Sequence, residues 1–193
     1  MKNFFQLTFV LCLFSTHAQT EFDGSEIGLE LHGGASNLGG TISAGLKYAA
    51  ILNENFAVGP SFRLQRAWSN NNGISASANI WGGGIWAHVR YKNALFGGLE
   101  FEVIKNPFGP NFQSASNNWL STLFLGGGFS KEYNGKVRIN LGIFYDIINA
   151  DNSPFQNSYV IRIKDSQTGQ IQRILPIIYR INFFFPIGAK KEN

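Results

Sequence analysis

His32 and His88 are the residues of this chain best suited to acid–base chemistry, because imidazole changes charge near neutral pH. The other groups that could join them are Glu30, Lys47, Arg63, Arg90, Glu100, Glu102, Arg138, Asp146 and Arg180. A serine, a histidine and a carboxylate together would make a hydrolytic triad. Several His, Cys, Asp or Glu ligands at short spacing would make a zinc site. Neither spacing is present, so no catalytic set, no metal and no cofactor is expected. What is expected instead is a set of ion pairs, provided that the elements carrying these residues turn them to one side.

The first twenty residues, MKNFFQLTFVLCLFSTHAQT, read as an address. Lys2 supplies a positive start, Phe4 to Phe14 is mostly apolar, and Thr16-His17-Ala18 places small residues where a signal peptidase reads. Residues 1–18 are therefore expected to be a secretory signal peptide, with 19–193 a single barrel domain. Val10 and Leu11 before Cys12 do not make a lipidation site, so Cys12 leaves with the leader. The mature chain then has no thiol and no disulfide.

The 193 residues are 44% hydrophobic, 15% aromatic and 15% charged. Soluble domains carry about 25% charged residues, so this chain is charge-poor, yet apolar enough to escape disorder. The formal charge of +4 is scattered apart from Lys190-Lys191, and no basic patch marks a nucleic-acid partner. After residue 20 no run reaches the ~18 apolar residues of a membrane helix.

Alternation of period two fills the chain. Eight runs are expected as strands, at about Glu26–Ala35, Thr41–Ile51, Asn55–Trp68, Asn79–Tyr91, Leu95–Ile104, Trp119–Lys131, Val137–Ile148 and Ile177–Phe185. They exceed the ordinary strand of about 5–6 residues and match the ~9–11 of a tilted membrane strand. Connections alternate between tight turns (Asn53-Glu54-Asn55, Lys92-Asn93-Ala94, Asn134-Gly135-Lys136) and long polar loops (69–78, 105–118, 150–176). That layout predicts an all-β fold, an eight-stranded antiparallel up-and-down transmembrane β-barrel.

A soluble barrel would turn the apolar face inward, but the polar face is Gly, Ser, Thr and Asn with too few charges for a wetted surface. The apolar face also carries aromatic residues at both ends. Trp68, Trp81, Trp119, Tyr145 and Tyr179 lie toward the loop end, and Tyr48, Phe56, Tyr91, Phe129 and Phe185 toward the turn end. These are expected as two membrane girdles.

In this pattern, and in the glycine-rich runs WGGGIW (Trp81–Trp86) and LGGGF (Leu125–Phe129), the chain resembles the small eight-stranded outer-membrane barrels, such as OmpX and the OmpA transmembrane domain, and the outer membrane protein β-barrel domain group. The resemblance covers nearly the whole mature chain. It implies an outer-membrane location, a structural or binding role and, in one branch of the group, service in a secretion apparatus. One departure is the tail Ala189-Lys190-Lys191-Glu192-Asn193, where many members end on an aromatic residue that the assembly machinery reads.

Parity places Glu30, His32, Lys47, Arg63, His88, Arg90, Glu100, Glu102, Arg138, Asp146 and Arg180 on the inward face, as a lumen polar network. Four arginines stand against four carboxylates, with Lys47 left over. Trp86, Phe124, Phe144 and Phe184 also point inward, so a plugged lumen is expected. The histidines face the lumen rather than the outer rim, where barrel enzymes act on lipid, so no enzyme is expected. The partners expected are outer-membrane lipid and, at loop 150–176, a protein; the barrel itself is expected to be a monomer. Within that loop Tyr159–Ile163 and Ile171–Ile174 read as a hairpin, whose edge could pair with another chain.

Overall fold

The computed structural model describes residues 24–36, 39–71, 74–108, 115–150 and 153–187. The expected leader 1–18 with Cys12, the loop tip Asn72-Gly73 and the tail Ala189–Asn193 lie outside them.

Alternation becomes eight long strands: β1 (Gly24–Ser36), β2 (Gly39–Asn53), β3 (Phe56–Asn71), β4 (Ile74–Tyr91), β5 (Leu95–Phe108), β6 (Ala115–Tyr133), β7 (Val137–Asp146) and, after the last loop, β10 (Ile177–Ile187). Two short strands, β8 (Ile161–Lys164) and β9 (Ile171–Leu175), form a separate hairpin inside that loop. The long strands close into a barrel in the order β1-β10-β7-β6-β5-β4-β3-β2. Each neighbour is antiparallel. The fold is thus the expected all-β, eight-stranded, antiparallel up-and-down barrel.

Several strands run beyond the alternation. β4 starts at Ile74 rather than Asn79, and β6 at Ala115 rather than Trp119. Apart from Ile74, their first residues, ISASAN and ASNN, are small or polar on both faces, so hydrophobicity gives no period there, yet Asn71 still pairs with Ile74. β7 goes the other way: it stops at Asp146, not Ile148, and the amide of Asn149 turns back onto the Asp146 carboxylate at 3.2 Å.

Tight turns close one end of the barrel. Tyr91 pairs with Leu95 and Tyr133 with Val137, so the odd-to-odd register that the Asn134-Gly135-Lys136 turn demands is present. Both turns pass through left-handed backbone, at Lys92 and Asn93 (φ 47° and 49°) and at Asn134 and Gly135 (φ 53° and 65°). Asn and Gly take that conformation readily; Lys92 does so against its preference.

The wall is inverted relative to a soluble protein. Leu46, Ile85, Phe129 and Ile143 are 57%, 64%, 69% and 63% exposed on its outside, while the inside buries charged and polar side chains together with aromatic and aliphatic ones. A soluble barrel would instead turn its polar face outward. Inward glycines bring backbones together: a β-carbon at Gly84 would collide with the Phe101 carbonyl, and one at Gly128 with that of Leu141. That close approach accounts for glycine in the WGGGIW and LGGGF runs.

The β1–β10 seam ends short of the loop rim. Its pairing runs from Ser25↔Ile187 to Leu31↔Ile181 and stops, although β1 stays paired with β2 as far as Ser36 and β10 with β7 as far as Ile177. At the loop end the edge of β10 bonds instead to the last loop, through the Val160 amide and the Ile177 carbonyl at 3.0 Å.

Candidate functional site

An eight-stranded barrel is just wide enough for side chains to fill, and here the filling is charged. Glu30 of β1 receives the Lys47 ammonium of β2 at 2.6 Å and the Arg63 guanidinium of β3 at 2.6 Å. Lys47 also reaches Glu100 of β5 at 2.7 Å, and Arg63 reaches Glu102 at 2.6 Å. Arg180 of β10 pairs with Glu100 and stands 3.6 Å from both Glu30 and Glu102. Three carboxylates and three cations therefore interlock across five strands. All six are buried. Charges withdrawn from water this way are tolerated only in company, and removing one partner strands the other. The expected surplus of Lys47 is corrected: it bridges two carboxylates.

Aromatic rings floor and roof this layer. Toward the turns, Trp86 lies beneath Lys47, whose ammonium is 5.5 Å from the ring, and Phe184 packs on Trp86 at 5.4 Å. Below them Arg90 forks onto Glu26 at 3.0 and 2.6 Å. Arg138, half-buried near the rim, pairs with Glu132. Toward the loops, Arg180 stacks 4.2 Å over Phe124, and Phe155 sits edge-on to Phe124 at 5.0 Å.

Phe155 belongs to the last loop, not to a strand. Residues 153–159, with a 3-10 turn at Gln156–Ser158, fold down into the mouth of the barrel. Gln65 of β3 donates to the Pro154 carbonyl at 2.9 Å, Thr41 of β2 bonds Ser158, and Tyr159 donates to Asp146 at 3.1 Å. Asp146 is thus held by a phenol and a backbone amide rather than by a cation. Beyond this cap the chain emerges as the β8–β9 hairpin, its isoleucines 161, 163, 171 and 174 exposed.

Each residue assigned from sequence to the polar network faces inward. Glu30, Lys47, Arg63, His88, Glu100, Glu102 and Arg180 meet in one cluster; Arg90, Arg138, Asp146 and His32 stand apart from it. His88 bonds Glu100 at 2.9 Å between Trp86 and Phe96, and His32 lies against Phe155 and Tyr179 at 5.9 and 6.2 Å. Among the described residues neither histidine shares a hydrogen bond with a serine or threonine. Nor does any group of three or more His, Cys, Asp or Glu side chains there suit a metal ion. The aromatic residues assigned to the girdles lie on the outer wall: Tyr179, Trp81, Tyr145 and Trp119 are 39–55% exposed, and Trp68 is half-buried; at the turn end Tyr48, Tyr91, Phe129 and Phe185 are 46–69% exposed, and Phe56 is half-buried.

Sequence reading missed Glu26, Phe96 and Phe155, and it placed Tyr159 at the start of the hairpin, whereas β8 begins at Ile161 and Tyr159 is buried in the cap. Glu26 was legible, since it shares the parity of Glu30. Phe96 is the lone bulky inward residue at the start of β5, between a turn and glycines. Phe155 and Tyr159 follow no period, because a loop that folds inward is shaped by the cavity and not by a ladder.

No family model matches the chain, and no curated protein matches it. Among solved structures, it is similar to the outer membrane protein Ail of Yersinia pestis, whose backbone structure was determined in a phospholipid bilayer nanodisc. That likeness covers 86% of this chain and 100% of the other at 14% identity, with a TM-score of 0.48.

Proposed function

We propose that this protein is an integral outer-membrane barrel with a plugged lumen, which acts without catalysis, as a structural or binding element that presents its loops to the outside. The observation that carries the reading is the pairing of an apolar outer wall with an interior filled by interlocked charges and capped by Phe155. Hydrocarbon can solvate such a wall, while closure of the strands into a barrel pairs their backbones around its circumference. Aromatic residues at both rims support two headgroup girdles. The buried, serine-free histidines speak against an enzyme that works on lipid at the rim.

Service in a larger secretion or surface complex is the second reading. It is favoured by the β8–β9 hairpin, which exposes isoleucines beyond the barrel; two-stranded hairpins alone are marginal in water. Cell fractionation tests the first reading. The protein should sediment with outer membranes and resist carbonate and high salt. Recovery in a soluble fraction would overturn it.

A further inference from the structure

At the rim, where the β1–β10 ladder stops, an open groove of about 310 Å³ lies between the end of β1, the cap and the hairpin, lined by Gly34, Ala35, Ser158, Val160, Arg162 and Tyr179, together with Tyr159 of the cap. Its origin is in the sequence. Gly33 and Ala35, the outward positions of β1 here, have almost no side chain, while Tyr179 opposite is large and fastens its hydroxyl to the Gly33 carbonyl. The volume lies at the lower end of the ~300–1,000 Å³ of ligand sites.

Two features say what the groove takes. Arg162 lies on its border and makes no ion pair among the described residues. The hairpin that bears it also holds Lys164 and Arg173 against one acid, Asp165, whose carboxylate is engaged by the amides of Gln167 and Thr168 at 2.9 and 2.8 Å. The neighbourhood is therefore cationic and open to an anion. Directly below, Leu31↔Ile181, Leu29↔Phe183 and Ile27↔Phe185 run down the seam as an unbroken apolar strip on the outside. A cation above an apolar strip, at the depth of a girdle tyrosine, matches a molecule with a phosphate head and acyl chains.

We propose that this groove is a lipid site, in which Arg162 binds the phosphate of one anionic lipid whose acyl chain lies along the β1–β10 strip. The proposal rests on the reading of the chain as a membrane barrel. A guanidinium suits phosphate because it offers paired donors in one plane. The small β1 residues admit the glycerol backbone, and the incomplete ladder makes room for it without opening the lumen, which Phe155 closes from within.

The test is retention of lipid by the whole mature protein after release from nanodiscs of phosphatidylcholine and phosphatidic acid in equal amounts, read by native mass spectrometry. One phosphatidic acid should be kept in preference to phosphatidylcholine. Arg162→Gln should lower that preference about tenfold, as loss of one charge-assisted hydrogen bond would. Ala35→Trp, which fills the groove, should abolish retention with Arg162 intact, and Arg173→Gln on the other hairpin strand should leave it unchanged. Equal retention of the two lipids, or a preference untouched by Arg162→Gln, would overturn the site while the barrel still enters nanodiscs. Displacement of the lipid by inorganic phosphate would make the groove a phosphate site and overturn it too. Failure to enter nanodiscs at all would instead strike the membrane reading itself, and the site with it.

Discussion

The hydroxyl of Tyr159 donates to Oδ2 of Asp146 across 3.1 Å, and this bond ties the last loop to the end of β7. Tyr159 is the hinge point between the segment that fills the mouth and the hairpin that leaves it. Burial, with the carboxylate of Asp146 alongside, pushes the phenol above its ordinary range.

That shift has a sign that can be read. The protonated phenol is the favoured form in the fold, so its contribution is fully present below the unfolded value of about 10 and is lost as pH rises beyond it. Ultraviolet absorbance should show a late tyrosine ionisation, and Tyr159→Phe should remove it. If the remaining titration still contains it, the bond is misassigned.

Glu100 meets Lys47, His88 and Arg180 at once. Glu100→Gln leaves two buried cations short of a counter-charge and should destabilise the barrel by about 3–5 kcal/mol. Urea titration in phospholipid vesicles measures this. A loss below about 1 kcal/mol would mean that water already solvates the cluster.

Leu141 faces outward on β7 and Gly142 inward. Leu141→Arg places a charge in lipid and should destabilise by about 2–4 kcal/mol near the midplane. Gly142→Arg should fail to fold, because even a β-carbon there would meet Phe96 at 2.6 Å and Phe144 at 3.1 Å. Refolding yields of the pair, read by heat-dependent gel mobility, separate lipid from lumen.

Lys92 holds φ of 47° in the turn between β4 and β5. Lys92→Gly should therefore stabilise by about 1 kcal/mol, since left-handed backbone is disfavoured for a residue with a β-carbon. The same urea titrations would show it as a higher midpoint, and a lower one would refute the argument.

The interlocked signs also bear on transport. Selective pores present rings of one charge, whereas here each central carboxylate is matched by cations. Purified protein in planar bilayers should show no steady conductance. Reproducible ion-selective steps would contradict a plugged lumen.

The barrel was legible because its constraint is periodic. Ile42, Ala44, Leu46 and Tyr48 against Thr41, Ser43, Gly45 and Lys47 state both faces of β2 without any structure. The same parity brought out the inward charges, though not who pairs with whom: Lys47 and Glu100 share no local signal, being joined only by curvature of the sheet. Strand ends were blurred where both faces are small, as in ISASAN of β4. The cap at Phe155 and the groove at Ala35 were not legible, since both depend on where the last loop comes to rest.

The closing ladder joins Ser25 to Ile187, 162 positions apart along the chain. Every other barrel pairing links successive strands of the meander, so hairpins such as β2–β3 or β6–β7 form quickly and this one last. Until it forms, the nascent sheet has two raw edges that hydrocarbon will not accept. Entry into the bilayer and sealing of the cylinder are therefore expected to coincide. A refolding time course should therefore show β1–β10 contacts and lipid protection arriving together, after pairing of the neighbouring strands.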